Sequence, residues 1–460
     1  MILRSPRLSG VSYAIVGAGL AASLSTLAFV APLTYDEAFN RFHYAELGLA
    51  KTLVTYDYPN NHVPFTALVV AIPQSVVDWN PWSIRLVGVV FGVAMIGLIL
   101  YAARRTRTGA LVPLLVIGGS PTLVAYSFLA RGYTFSAVWL VAGALIAAAI
   151  QGRNRFVQLW GACAAGVALA VGSWSVLTSV LAVPGWILVV ALAAGTPVAF
   201  AGAAAYVVAL GLMVSPILSG VRAAATGPWN GDVHFWSWAW GAFKVTNAVA
   251  PCFVVALVLV AWAAFSPGER PTRMALRALD GSRRLAVITG TMALSWYVLT
   301  AIASAATIIH PPFTRNSIPA LWLLVIALIA AFPRGRLGWV VVLLLIPGFA
   351  WSASAWTRAA TAQDWARLPD IADLNVLGGG TPPSLRSLPG TGATSITCTW
   401  YSEMGCQLAA PRLGKEGISV VPLGPAMSPR AHCVVGSVRP PAIWQVTVMR
   451  GRSVLGIACY

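Results

Sequence analysis

Residues 11–31, VSYAIVGAGLAASLSTLAFVA, run without a charge and open straight onto Pro32-Leu33-Thr34-Tyr35-Asp36-Glu37. At about 20 residues per crossing, such a stretch spans the roughly 30 Å hydrocarbon core of a bilayer as one helix. It is too long for the core of a secretory signal and lacks a small-residue cleavage site before Tyr35, so we read it as a retained first membrane helix. The adjacent carboxylates then lie at the membrane edge, where ionised groups are costly and mark function.

The rest of the chain repeats that apolar theme. Of 460 residues, 58% are hydrophobic and only 9% charged, with a mean hydropathy of +0.77; soluble domains carry about 25% charged residues. This is a polytopic α-helical membrane protein. Apolar runs predict about eleven spans, at 11–31, 83–103, 109–128, 133–150, 156–173, 176–194, 198–219, 247–265, 286–308, 316–332 and 337–355. The net charge of +17 does not indicate nucleic acid, because the basic residues sit in short clusters between spans and line no single face. They report topology. Arg4, Arg7, Arg104, Arg105, Arg107, Arg153, Arg155, Arg270, Arg273, Arg277, Arg283, Arg284, Arg334 and Arg336 fall on one side, which the positive-inside rule makes cytoplasmic. The other side holds half as many basic residues and the acids Asp36, Glu37, Glu46, Asp57, Asp78 and Asp232. An odd number of spans puts the N-terminus inside and the C-terminus outside.

Residues 1–355 therefore read as a transmembrane domain with a first outer loop over 32–82, and 356–460 as a small extracytoplasmic domain, β-rich or mixed. The outer loop is too long for a simple connector and suggests amphipathic surface helices. Over Ala38 to Leu53 the apolar positions Ala38, Phe42, Ala45, Leu49 and Leu53 recur at helical spacing, with Asn40, Arg41, Glu46 and Lys51 on other faces. A second outer loop carries Trp229, Trp236, Trp238 and Trp240, the usual headgroup-level anchors. Beyond Trp356 come β-prone runs and a Gly378-Gly379-Gly380 linker. Four of the six cysteines, Cys398, Cys406, Cys433 and Cys459, fall there on the oxidising face, so two disulfides are expected. Cys163 and Cys252 read as small buried hydrophobes.

Three outer constellations could carry chemistry. Asp36-Glu37 is the first: one acid alone would be a solvated or capping group, whereas two adjacent acids point in different directions, one toward a cavity and one toward a neighbour. The second is Tyr58-Pro59-Asn60-Asn61-His62-Val63-Pro64, in which prolines and asparagines serve turn chemistry. His62 exceeds that need. It can hydrogen-bond a phosphate or a hydroxyl, or share a divalent cation with Asp36 or Glu37, although one His beside acids is a sparse metal signature. The third pairs Arg131, between two apolar runs, with Arg315, at the start of another. Either can be a snorkelling interface residue; guanidinium is also the preferred bidentate partner of phosphate.

In order and side, these pieces resemble the GT-C-fold glycosyltransferases that use polyprenyl-phosphate sugars, in the branch of protein O-mannosyltransferases and lipid A aminoarabinose transferases. The resemblance rests on Asp36-Glu37 after the first helix, Pro59 to Pro64, Ser120-Pro121 at a helix start, Arg131-Gly132-Tyr133, and Arg315 with Pro319. It extends over roughly residues 10 to 375, Asp364-Trp365 included. Arg315-Asn316 departs from the aromatic that often follows the late arginine, and the C-terminal domain is unlike the lectin-like domains of some relatives.

The resemblance implies inverting transfer of a sugar from a polyprenyl-phosphate donor to a hydroxyl of a glycan, lipid or protein acceptor at the extracytoplasmic face of the plasma membrane, without nucleic acid or nucleotide sugar. Asp36 would be general base, and Glu37 would orient it or bind sugar hydroxyls. Arg131, Arg315 and His62 would hold the donor phosphate, and Tyr35, Asn60, Asn61 and Tyr133 would contact substrate. The resemblance fixes no cofactor, and a divalent cation, with Glu37 and His62 as candidate ligands, stays open. Two other classes share this composition, a lipid-linked-sugar transporter or flippase and a non-catalytic envelope assembly protein. A transporter should place ionisable residues near helix midpoints in both halves, whereas here they cluster at one face.

Overall fold

The computed structural model describes residues 6–31, 35–56, 61–79, 81–226, 281–305, 314–332 and 336–362, together with five strands at 395–398, 419–422, 432–436, 444–450 and 453–459. Among them, eight helices are long and apolar enough to cross a membrane, or nine if one bent pair counts as a single span. The protein is a polytopic helical membrane protein. The expected span 247–265, the tryptophans at 229–240, Asn60, Asp57, Asp364-Trp365, the glycine linker and Cys406 lie outside the described residues.

The membrane region begins with α1 (Pro6–Val30), followed in the outer loop by α2 (Tyr35–Leu47), α3 (Leu49–Thr52), α4 (Val63–Val70) and α5 (Gln74–Trp79). A 3-10 turn at Pro81–Arg85 leads into α6 (Leu86–Thr106). Then come α7 (Leu111–Gly118), α8 (Pro121–Phe128), α9 (Tyr133–Ile150) and α10 (Arg155–Ser175). A second 3-10 turn, Leu177–Ala182, precedes α11 (Val183–Ala194), α12 (Thr196–Val214) and α13 (Leu218–Thr226). The remaining helices are α14 (Gly281–Ala305), α15 (Ile318–Ala330) and α16 (Arg336–Ala362). Helix α15 is buried from Ile318 to Leu323 and again over Val325 to Ala330; apolar on all sides, it occupies the core. Phe156, Trp160, Phe200 and Leu212 are instead exposed, as residues facing lipid would be.

Residues 109–128, expected as one span, form a bent pair of helices. Helices α7 and α8 meet at 87°. Gly118 and Gly119 stand at the end of the first, where Phe349 and the Leu115 carbonyl would crowd a Cβ. Ser120 then takes an extended conformation, caps the Leu123 N–H at 3.3 Å and places Pro121 at the first helical position. A proline there needs no donor, so a new helix starts in a new direction.

The outer loop also departs from its hydrophobic pattern. The helix expected over 38–53 breaks at Gly48, whose φ is 76°, a left-handed conformation suited to glycine. On α2 the buried residues include Glu37, Asn40, Arg41 and Tyr44, while Leu49 is 48% exposed. Some of these polar groups have partners inside. Arg41 donates to Val70 O at 2.7 Å and to Ile72 O at 2.8 Å, satisfying carbonyls that the end of α4 leaves without helical partners.

Five C-terminal strands, β1 (Ser395–Cys398), β2 (Ser419–Pro422), β3 (His432–Gly436), β4 (Trp444–Arg450) and β5 (Ser453–Cys459), make one sheet in the order β2-β1-β3-β5-β4. The pairs of β1 with β2 and β3 are parallel, and those of β5 with β3 and β4 antiparallel. No disulfide joins described side chains; Cys163 is a free thiol.

Close helix packing has a direct test. A Cβ on Gly92 of α6 would lie 2.1 Å from Ser127 O, whereas one on Gly97 of the same helix meets nothing within 4 Å. Gly92→Ala should therefore destabilise the protein by about 1–3 kcal/mol, and Gly97→Ala should stabilise it by up to about 1 kcal/mol. Thermal unfolding in detergent compares the two; equal shifts would contradict the packing of α6 on α8.

Candidate active site

Asp36 and Glu37 occupy the first turn of α2, where helix N–H groups favour negative charge. Their surroundings then separate them. Glu37 is wholly buried, and Arg85 clasps it with two bonds, Nε to Oε1 at 2.8 Å and Nη2 to Oε2 at 2.7 Å. Its Oε1 also accepts the Ala130 N–H at 2.7 Å. The third guanidinium nitrogen, Nη1 of Arg85, donates to Ala28 O and Ala31 O at the end of α1. Trp82 Nε1 donates to Ala31 O as well.

Asp36 stays 13% exposed and meets two other arginines: Oδ2 lies 2.7 Å from Arg131 Nη1 and 3.1 Å from Arg315 Nη1. Arg131 is buried in the loop between α8 and α9, and Arg315, 20% exposed, stands in the 3-10 turn before α15. Residues separated by up to 279 positions thus converge on one oxygen. Burial pushes the Asp36 carboxyl up, but Arg131 and then Arg315 outweigh it and hold the group below the usual carboxylate range. Burial likewise disfavours the Arg131 cation, yet Asp36 leads a set of partners that keeps it charged.

His62 caps this cluster from the start of α4. Its Nδ1 lies 2.9 Å from Ser175 O; a carbonyl only accepts, so Nδ1 carries the proton and Nε2 presents a lone pair. Nε2 is buried and without a hydrogen-bond partner among the described residues. Burial first, and the Arg131 charge next, push the imidazole down to about 3, so it is neutral at physiological pH. The ring packs edge-on against Tyr133 at 4.5 Å, and Tyr133 lies under the Arg131 guanidinium at 5.7 Å. Gly132 is required between them, because a Cβ would fall 2.4 Å from that of His62.

The other expected contacts are unevenly placed. Asn61 is buried, donating to Thr55 O at 2.8 Å while its Oδ1 has no partner among the described residues. Of Tyr35 only the backbone is described, as the first residue of α2. Glu37, expected to orient the base or bind sugar hydroxyls, bonds to Arg85 and to the Ala130 N–H. No three His, Cys, Asp or Glu side chains gather as metal ligands among the described residues. Residues not singled out from sequence also enter: Arg85, Ser175, and Asn40 and Thr66, both buried with side-chain polar atoms lacking partners among the described residues. Asn40 lies one helical turn beyond Asp36 and Thr66 one turn beyond His62, a spacing that could have flagged them.

No known family model matches this sequence, and no characterised protein matches it in sequence. Among solved structures, the crystal structure of ArnT from Cupriavidus metallidurans bound to undecaprenyl phosphate superimposes with a TM-score of 0.53, covering 97% of this chain and 98% of that one. The fold is GT-C-like. With 12% of residues identical, the likeness concerns the path of the chain and carries no residue roles with it.

The buried imidazole makes a pH prediction. Between about pH 3 and 6.5 the unfolded chain binds a proton at His62 that the folded protein excludes. Stability therefore rises with pH across that window and falls on acidification, by at most about 1.4 kcal/mol per pH unit. Asp36 loses its contribution only below the ordinary carboxylate value of 3.8. From pH 6.5 to 4.5, His62→Gln should lose thermal stability less steeply than the native protein; parallel losses would mean that His62 takes up its proton within the fold.

Proposed function

We propose that this protein is a membrane glycosyltransferase that moves a sugar from a polyprenyl-phosphate donor to an acceptor hydroxyl at the extracytoplasmic face. The observation that carries the reading is the half-sequestered triad, one carboxylate oxygen shared by two guanidinium groups from distant parts of the chain. Two guanidinium groups side by side suit the anionic leaving group of such a donor. The GT-C-like fold supports the reading, and the ArnT structure of that fold was solved with undecaprenyl phosphate bound.

In the proposed reaction the acceptor oxygen attacks the anomeric carbon from the face opposite the phosphate. Its proton passes to Asp36 as the carbon–oxygen bond forms. The bond to the phosphate oxygen breaks, and polyprenyl phosphate leaves with an added negative charge that Arg131 and Arg315 stabilise. Without donor, those arginines keep Asp36 ionised but weakly basic. A bound phosphate draws the same guanidinium groups toward itself, so Asp36 becomes a stronger base when the donor is in place. His62 takes a different part from the phosphate contact expected: with its N–H given to Ser175 O, Nε2 can only accept, and it suits a sugar or acceptor hydroxyl. Asn40, Asn61 and Thr66 offer further neutral polar atoms of the same kind. The inside N-terminus, the C-terminal extracytoplasmic domain and a glycan, lipid or protein acceptor complete the proposal.

Transfer of labelled sugar by the purified protein from polyprenyl-phosphate donors tests it; Asp36→Asn should lower turnover by about 10²–10⁴-fold while the protein still inserts into membranes. Turnover retained in that variant removes Asp36 as base. Loss of charge-assisted hydrogen bonds worth about 1.5–3 kcal/mol should make Arg131→Ala weaken donor binding by roughly one to two orders of magnitude. Arg131→Lys should weaken it less, since lysine keeps the charge without the fork; equal losses would argue against bidentate phosphate contact.

A further inference from the structure

The bonds of Arg85 end beside both Asp36 and Arg131. The Glu37 carboxylate that it holds is the next residue after Asp36, and the Ala130 N–H that this carboxylate accepts belongs to the residue before Arg131. One carboxylate thus fixes the immediate neighbours of both members of the 2.7 Å Asp36–Arg131 pair. Arg85 ties the assembly to the last carbonyls of α1 through Ala28 O at 3.0 Å and Ala31 O at 2.8 Å. Four segments meet there: the end of α1, the first turn of α2, the turn before α6 and the loop after α8. The Phe128 ring closes the site, 5.3 Å from the Arg85 guanidinium carbon, and both partners are at most 1% exposed.

We propose that the buried Glu37–Arg85 pair is a positioning device that sets Arg131 against Asp36 and thereby sets the affinity for the donor phosphate. Stability alone does not call for such a pair, because a buried ion pair replaced by neutral groups of similar volume is often no less stable. Geometry does call for it. An Arg131 guanidinium displaced by about 1 Å loses an aligned bond to phosphate, and misplacements of that size cost up to about 10²-fold in function. Lysine at position 85 reaches the carboxylate with one ammonium and cannot span Glu37, Ala28 O and Ala31 O together.

This inference rests on the reading that Arg131 holds the donor phosphate, and the experiment separates the two. Undecaprenyl phosphate binding is measured on the full chain in detergent for the native protein, Arg85→Lys, Arg131→Ala, Arg85→Lys/Arg131→Ala and Glu37→Gln/Arg85→Met, with thermal midpoints alongside. Arg85→Lys should weaken binding at least tenfold, and in the Arg131→Ala background it should add less than twofold, because its effect passes through Arg131. Glu37→Gln/Arg85→Met removes both charges at similar volume; it should keep a thermal midpoint near the native one and still bind at least tenfold more weakly. Losses that multiply in the double variant, or affinity within threefold of native in the neutral pair, overturn the positioning role. Should Arg131→Ala itself bind undecaprenyl phosphate normally, the phosphate reading falls as well. If Arg131→Ala binds weakly while Arg85→Lys binds normally, only the positioning role falls.

Discussion

A charge withdrawn from water beside a lipid bilayer must meet its opposite, and this chain has few charges with which to arrange that. Two consecutive acids, Asp36 and Glu37, resolve the constraint in opposite ways. Glu37 is enclosed and saturated by one arginine and one backbone N–H. Asp36 keeps a window to solvent and shares one oxygen between two arginines. Desolvation of an ion pair is expensive, and its attraction compensates only where remaining hydrogen-bonding positions are also filled. The Arg85 pair meets that condition through the carbonyls of α1; the Asp36 cluster stays partly exposed.

Helix ends explain why so many polar groups in the outer loop turn inward. The last carbonyls of a helix lack intrahelical donors, and here guanidinium and indole groups supply them: Arg85 and Trp82 at the end of α1, Arg41 at the end of α4. Each also joins two segments of chain. Arg85 and Trp82 thereby fasten the end of the outer loop to α1, beside an apolar cluster in which Phe65, Val69, Val77 and Ile84 pack with Ala130 and Phe135.

Much of this was legible in residue order. Runs such as 11–31 and 133–150 announced membrane helices by length alone, and Ser120-Pro121 carried the signal for a helix start that divides the 109–128 run. Asp36, Arg131 and Arg315 could be selected because charges are rare in so apolar a chain, but no local pattern states that they share one oxygen. Hydrophobic spacing did not show the inward roles of polar residues on α2, because Arg41 and Glu37 find their partners in distant segments. Arg85 looked like one more basic residue at the end of a loop. Its partner is 48 positions away, a distance over which periodicity says nothing.

The elbow between α7 and α8 links the site to the far end of the membrane region. Helix α16 packs on the end of α7, with Phe349 seated on Gly118 at the bend, and its Trp356 ring lies 6.0 Å from that of Phe128 at the end of α8. Phe128 in turn lies beneath Arg85 and three residues before Arg131. Helix α16 thus braces the elbow at one end and, at the other, joins the Arg85 guanidinium through two neighbouring aromatic rings, a link that carries no charge of its own.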